Sequence, residues 1–191
     1  VEDRYFDTAR EALRRRGFGA RLRRSGSSVT LTVKSLTVDE TDGDLPPEAM
    51  HRRIELEGPA NARLDPDGWP SSPARELVDE LRGNARLRSR FTIRQRRVVR
   101  DIEGGDGTAQ LSLDEVEVVV GRTVVGTFAE LEIESTGGDA ALLDRLAGIL
   151  GTSDLVTPAS GSKEEQARLL MEREQTAARA RRLPPVPKTP G

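Results

Sequence analysis

Apolar and polar residues alternate along several stretches of the chain, and this period of two predicts β-strands with one buried face. The alternation is regular in Val29–Lys34 and in Thr127–Glu134, which reads TFAELEIE. In the second stretch Glu130, Glu132 and Glu134 share one face, and apolar residues occupy the other. Same-face neighbours on a strand lie about 7 Å apart, so these carboxylates need solvent or positive charge beside them.

The same alternation, punctuated by turn residues, predicts an antiparallel sheet of about seven to eight strands. Residues 36–49, rich in aspartate, glycine and proline, are expected to form a loop. The predicted strands are Val1–Asp7, Ala20–Arg23, Val29–Lys34, Arg52–Glu57, Leu87–Val99, Ala109–Asp114, Val116–Val120 and Thr127–Glu134.

Helical periodicity and capping residues predict amphipathic helices between these strands. Each helix has one apolar stripe that needs an apolar surface to rest upon. The predicted helices run from Thr8 to Arg16, from Pro73 to Leu81, from Ala140 to Leu150, and onward from the cap Ser162. We expect one domain over residues 1–180 and a proline-rich linker or tail over residues 181–191.

The expected fold class is α+β, and two architectures fit strands with one charged face. An ordinary barrel or sandwich would bury the apolar faces inside, whereas a wide antiparallel barrel could have a charged lumen and amphipathic helices packed outside. The helical stripes favour the second architecture, a tunnel. Its lumen would bind a polyanion and a hard cation. The charged same-face residues are Arg21, Arg23, Lys34, Arg53, Arg94 and Arg96, with Glu55, Glu57, Asp114, Glu130, Glu132 and Glu134.

Composition narrows the function classes. Lysine and arginine number 30 against 32 acidic residues, so net charge gives no sign of a nucleic-acid or membrane-surface partner. The chain has no cysteine and no long apolar run, and we expect a soluble, cytoplasmic protein that does not engage a membrane. A phosphate-binding G-x-x-x-x-G-K-[ST] loop is absent from the sequence, which disfavours a nucleotidase of that type.

A set of short motifs, in order along the chain, resembles the CYTH family, the triphosphate tunnel metalloenzymes. The family includes thiamine triphosphatases, inorganic triphosphatases and class IV adenylyl cyclases. Each motif is weak alone, and the ordered set is specific. The matching motifs are Tyr5-Phe6-Asp7-Thr8, Arg21-Leu22-Arg23, Leu31-Thr32-Val33-Lys34, Arg53-Ile54-Glu55-Leu56-Glu57, Arg94-Gln95-Arg96, Leu113-Asp114-Glu115, Phe128-Ala129-Glu130-Leu131-Glu132 and Ser162-Lys163.

The resemblance implies an eight-stranded antiparallel tunnel that holds a triphosphate and a divalent metal, Mg²⁺ or Mn²⁺. It also implies roles for the charged residues. Glu130 and Glu132 would be metal ligands, and Glu55, Glu57 and Asp114 would support the metal or position the attacking water. The implied phosphate contacts are Arg21, Arg23, Lys34, Arg53, Arg94, Arg96 and Lys163.

The family also carries an E-x-E-x-K strand ahead of the segment that begins at Tyr5, where this sequence has only Val1–Arg4. We therefore expect that the family's first strand is missing from this sequence. The expected activity is metal-dependent hydrolysis of inorganic triphosphate or a short polyphosphate. A non-catalytic polyphosphate-binding module, which in this family is often fused to a CHAD domain, is the alternative, and adenylyl cyclase activity ranks third.

Overall fold

The computed structural model describes residues 1–36, 55–105, 107–138, 141–159 and 161–182, which form one antiparallel sheet with three α-helices. The predicted α+β class is confirmed. The strands are β1 (Glu2–Thr8), β2 (Phe18–Ser25), β3 (Ser28–Ser35), β4 (Glu55–Pro59), β5 (Leu87–Gly104), β6 (Gly107–Val120) and β7 (Thr123–Gly138). The helices are α1 (Pro73–Arg82), α2 (Ala141–Gly151) and α3 (Lys163–Arg182), and 3-10 turns cover Arg14–Arg16 and Pro66–Gly68.

The seven strands follow the order β4-β3-β2-β1-β5-β6-β7, and every neighbouring pair is antiparallel. This is the strand arrangement of the expected tunnel architecture. Among the described residues, β4 and β7 are the two edge strands of the sheet. The segment 107–120 is one continuous strand rather than the two shorter strands expected from its sequence.

One face of the sheet, the outer face, packs against α1. Leu22 and Val33 from the sheet and Val78 from the helix lie in the same buried cluster. The helix begins after Ser72, whose hydroxyl accepts a hydrogen bond from the amide of Arg75 at 3.2 Å. The predicted serine cap and the outside position of this helix are therefore both confirmed.

The opposite face, the inner face, is apolar over one half. Tyr5, Phe91 and Val116 lie there in a buried cluster that α3 covers with Ala167 and Met171. The rings of Tyr5 and Phe91 stack with their centroids 4.8 Å apart. The sequence predicts helices packed outside, yet α3 lies on the inner face, because apolar side chains of β5 and β6 point inward and must be covered.

The predicted helix after Thr8 is wrong: Thr8 is the last residue of β1. The buried carboxylate of Asp7 accepts hydrogen bonds from the amides of Thr8 at 2.6 Å, Leu13 at 3.0 Å and Arg14 at 3.1 Å. These bonds hold the chain in a turn, followed by the 3-10 turn that ends at Gly17, the predicted stop. An aspartate that binds backbone amides locally competes with helix formation.

Several expectations fall on residues that are not described. The expected loop lies outside the described residues apart from its first residue, and Arg53 lies outside them too. The domain boundary at 181, the proline-rich tail and an adjoining CHAD domain stay predictions. Within the described part of the chain, no helix is long and apolar enough to cross a membrane.

Candidate functional site

Three carboxylates meet on the charged half of the inner face. Asp114 is the cross-strand partner of Glu130, and Glu132 follows two residues later on β7, so strand alternation directs all three side chains to the same side. One oxygen of each lies within 4.8 Å of the others. Asp114 is fully buried, at 0% exposure. This acidic cluster, Asp114, Glu130 and Glu132, is a set of hard oxygen donors of the kind that suits Mg²⁺ or Mn²⁺.

Two cationic side chains hold the acidic cluster together. Arg97 donates from Nε and Nη2 to the two oxygens of Asp114 at 2.8 and 2.7 Å, and from Nη2 to Glu132 at 2.6 Å. The ammonium of Lys163, from the first turn of α3, lies 2.6 Å from Asp114, 2.9 Å from Glu130 and 3.2 Å from Glu132. The negative charge of the acidic cluster is therefore partly neutralised by Arg97 from β5 and Lys163 from α3.

Burial and ion pairing shift the pKa values of Asp114 and Lys163 in opposite directions. Burial alone would raise the pKa of Asp114, but hydrogen bonds from Arg97 and Lys163 outweigh it and lower that pKa. Burial alone would lower the pKa of Lys163, but hydrogen bonds to Asp114 and Glu130 raise it. The carboxylate and the ammonium are therefore both ionised at neutral pH.

A second cluster on the inner face contains two arginines around one carboxylate. Asp3 of β1 is 1% exposed and accepts from Arg23 Nε and Nη2, both at 2.8 Å, and from Arg21 Nη1 at 3.2 Å. The hydrogen bond to Asp3 is the main cause of a raised pKa at Arg23. Lys34 pairs with Glu55 at 2.9 Å on the neighbouring strands. The arginine cluster, Arg21, Arg23 and Asp3, is thus continuous with the polar face of β3 and β4.

Most of the predicted site residues come together on the inner face. Glu57 accepts a hydrogen bond from Thr32 at 3.0 Å, which places it beside the arginine cluster. The predicted residues on this face are Arg21, Arg23, Lys34, Glu55, Glu57, Asp114, Glu130, Glu132 and Lys163.

Arg94 and Arg96 do not belong to this group. Their cross-strand partners are Glu117 and Glu115, which alternate with Asp114 and therefore point to the outer face. The side chain of Arg96 is 80% exposed and lies 3.6 Å from Glu115. The expectation that these two arginines share a face with Asp114 is wrong, because Phe91 and Ile93 point inward under α3 instead of outward.

Sequence reasoning missed Asp3 and Arg97. Arg97 lies directly across from Asp114. By strand alternation, Arg97 lies on the same face of β5 as Phe91 and Ile93. The alternation would identify Arg97 as a site residue once it is known that these two apolar residues lie on the inner face. Asp3 lies two residues before Tyr5, the start of a family motif, but nothing in its sequence position signals that it pairs with Arg21 and Arg23.

The inner face also contains polar atoms that no described residue satisfies. Arg21 Nε and Gln95 Oε1 are buried and have no hydrogen-bond partner among the described residues. Buried donors and acceptors of this kind cost about 1–3 kcal/mol each when left unpaired, so a bound polar ligand would relieve them. Both residues come from strands next to β1, the strand of Asp3 and Tyr5.

Comparison with known proteins agrees with this geometry. Residues 1–167 match the sequence model of the CYTH domain, and the chain belongs to the CYTH family. A Hippeastrum protein, provisionally named an adenylyl cyclase and described with a dominant triphosphatase activity, is 23% identical with a TM-score of 0.62, covering 88% of this chain and 80% of that one. A Bacillus halodurans protein, provisionally named an adenylate cyclase, is 18% identical with a TM-score of 0.57, covering 86% and 80%. No curated protein matches in sequence.

The two structural likenesses establish the tunnel fold. The CYTH family is metal-dependent, and the donor set of the acidic cluster fits a divalent metal.

Tyr5, the only tyrosine in the chain, reports on the packing beneath the site. Burial against Phe91 raises its pKa to about 12. The neutral phenol therefore contributes stability below about pH 10, the value of the unfolded chain, and this contribution is lost as the pH rises towards 12. We expect tyrosinate absorbance to rise with a midpoint near 12 in the native chain and near 10 in concentrated urea. A native midpoint near 10 would contradict the stacked, covered position of Tyr5.

Proposed function

We propose that this chain hydrolyses a triphosphate, inorganic triphosphate or a short polyphosphate, with Mg²⁺ or Mn²⁺. The observation that carries the proposal is the placement of the arginine cluster and the acidic cluster on one inner face of a tunnel fold. Phosphoryl transfer needs charge neutralisation and alignment rather than a protein nucleophile. The triphosphatase activity described for the Hippeastrum protein favours this reaction over cyclisation.

Each inner-face residue has a role in this proposal. Arg21, Arg23, Lys34 and Arg97 would contact phosphate oxygens, together with Lys163. Arg53, which lies outside the described residues, keeps its predicted role as a further phosphate contact. Planar guanidinium groups suit phosphate because they donate two parallel hydrogen bonds. Arg94 and Arg96 have no place in this clamp, since they lie on the outer face.

The acidic residues divide into two groups by position. Asp114, Glu130 and Glu132 would hold the metal, which when bound would neutralise phosphate charge. Glu55 and Glu57 lie on β4 beside Lys34 and Thr32, and would orient the attacking water by accepting its hydrogen bonds. Both residues would act as positioning groups.

The charge balance explains why binding should depend on metal. The ion pairs described above join five cationic side chains to five carboxylates on the inner face, and Glu57, which accepts from Thr32, adds a sixth carboxylate. These are Arg21, Arg23, Lys34, Arg97 and Lys163, with Asp3, Glu55, Glu57, Asp114, Glu130 and Glu132. Among these described residues a triphosphate would meet no excess positive charge, so it should bind as a complex with divalent cations.

The experiment is phosphate release from inorganic triphosphate with and without Mg²⁺ or Mn²⁺, beside calorimetric binding of the same ligand. Metal-dependent release supports the proposal. Tight binding without release would identify a polyphosphate-binding module instead. Pyrophosphate release from ATP with formation of a cyclic product would favour the cyclase.

A matched pair of arginine substitutions tests which face binds phosphate. Arg23→Gln is expected to lower kcat/KM for triphosphate by about a hundredfold, by analogy with the loss of one transition-state hydrogen-bond donor. Arg96→Gln, on the outer face of β5, is expected to change it by less than about twofold. Equal losses in both variants would contradict the placement of the site on the inner face.

A further inference from the structure

The ammonium of Lys163 occupies the point that the acidic cluster shares. It contacts Asp114 Oδ2, Glu130 Oε2 and Glu132 Oε1 at 2.6, 2.9 and 3.2 Å. One oxygen of each of these carboxylates lies within 4.8 Å of the others, close enough for the three to bind a metal ion together. Lys163 therefore stands where a cation shared by the three carboxylates would lie.

Arg97 uses the cluster differently. The Arg97 guanidinium donates hydrogen bonds to both oxygens of Asp114 and to Oε2 of Glu132. Lys163 instead contacts Oε1 of Glu132. Departure of the Lys163 ammonium would free Glu130 Oε2 and Glu132 Oε1 and would leave Asp114 Oδ2 bound to Arg97 alone, while Arg97 kept Asp114 in position. A divalent ion with its higher charge could then replace the ammonium without a change in the strands.

Lys163 lies in the first turn of α3, and other residues hold this helix in place. Its side chain can therefore move away from the acidic cluster while α3 stays where it is. Ser162 and Glu165 form a capping box in which Glu165 Oε2 accepts from the Ser162 amide at 2.7 Å and Ser162 Oγ accepts from the Glu165 amide at 3.3 Å. Ala167 and Met171 anchor the helix in the apolar half. A lysine in the first helical turn also faces the positive end of the helix dipole, which opposes its present position.

We propose that Lys163 and the divalent metal occupy the acidic cluster alternately, so that metal entry displaces the ammonium and frees it to contact phosphate. The proposal rests on the proposed function in that the cluster is the metal site. In the metal-free chain Lys163 neutralises the carboxylates as an internal cation. Binding of the metal thereby makes the Lys163 ammonium available to phosphate.

The exchange is tested by titrating the full chain with Mn²⁺ in the absence of any phosphate ligand. Electron paramagnetic resonance measures the concentration of the free ion. Lys163→Gln is expected to bind Mn²⁺ about tenfold more tightly than the wild type, because no ammonium competes. Lys163→Arg keeps a cation and should stay within about threefold of the wild type. The matched control Arg96→Gln removes a cation that pairs with Glu115 on the outer face rather than with the cluster, and should leave Mn²⁺ affinity unchanged.

Thermal unfolding gives a second readout on the same variants. Lys163→Gln should melt at a lower temperature than the wild type without metal, since its carboxylates repel one another, and saturating Mn²⁺ should raise its Tm more than that of the wild type. Mn²⁺ affinity that is unchanged or weaker in Lys163→Gln, or an equal rise in Tm for both proteins, would overturn the exchange. Neither readout uses triphosphate, so a chain that shows the exchange but releases no phosphate would refute the proposed function alone.

Discussion

Glu132→Gln is expected to abolish metal-dependent phosphate release, lowering kcat for triphosphate by about a thousandfold while the chain stays folded. The amide replaces a charged ligand oxygen of the acidic cluster with a weaker neutral one. Because the side chain of Glu132 is 45% exposed, its ion pairs with Arg97 and Lys163 should contribute at most about 1 kcal/mol to stability. Steady-state phosphate release at saturating Mg²⁺, with circular dichroism to check folding, measures both effects.

Glu134→Gln is the matched control for this substitution. Glu134 lies two residues further along β7 with the same strand parity, is exposed and is outside the acidic cluster. Its replacement should leave kcat within about twofold of the wild type. Turnover retained in the Glu132 variant, or lost equally in both, would remove Glu132 from the set of metal ligands.

Asp3→Asn is expected to have the largest effect on stability, lowering the free energy of unfolding by about 3 kcal/mol. Asp3 is 1% exposed and neutralises both Arg21 and Arg23, so its loss leaves two inner-face guanidinium groups without their carboxylate. Loss of one partner from a buried ion pair costs more than the pair itself contributes. Urea unfolding followed by tryptophan fluorescence of Trp69, the only tryptophan, measures the change.

The neighbouring residue provides the comparison for this prediction. Glu2 lies on the same strand, is partly exposed and faces Arg24 at 4.0 Å and Arg94 at 3.6 Å. Glu2→Gln should change stability by less than about 1 kcal/mol. If Asp3→Asn and Glu2→Gln unfold at the same urea concentration as the wild type, the arginine cluster does not support the fold.

Local signals predicted much of the architecture. The alternation of Val29–Lys34 and of Thr127–Glu134 produced strands β3 and β7 with the expected faces, since a half-buried strand is encoded by period two. The serine caps at Ser72 and Ser162 marked the starts of α1 and α3. These features depend on neighbours in the sequence and can therefore be recognised without the fold.

Buried contacts that alternation and capping patterns do not reveal decided where prediction failed. The helix expected after Thr8 is replaced by a turn because the buried Asp7 carboxylate binds three backbone amides. The faces of β5 are the reverse of those that the sequence predicts, because its apolar residues Phe91 and Ile93 lie under α3, which is distant in sequence. Alternation shows which residues share a face, but the side that faces the lumen depends on what packs against it.

The sequence by itself determined the family, the antiparallel strands and the residue types of a phosphate and metal site, because these follow from ordered motifs and periodicity. Only the tertiary structure decided that Arg97 rather than Arg94 or Arg96 faces Asp114, and that Asp3 holds Arg21 and Arg23. It also decided that Lys163 fills the acidic cluster. These pairings join residues far apart in the chain, and the packing of α3 on the inner face brings Lys163 to the site.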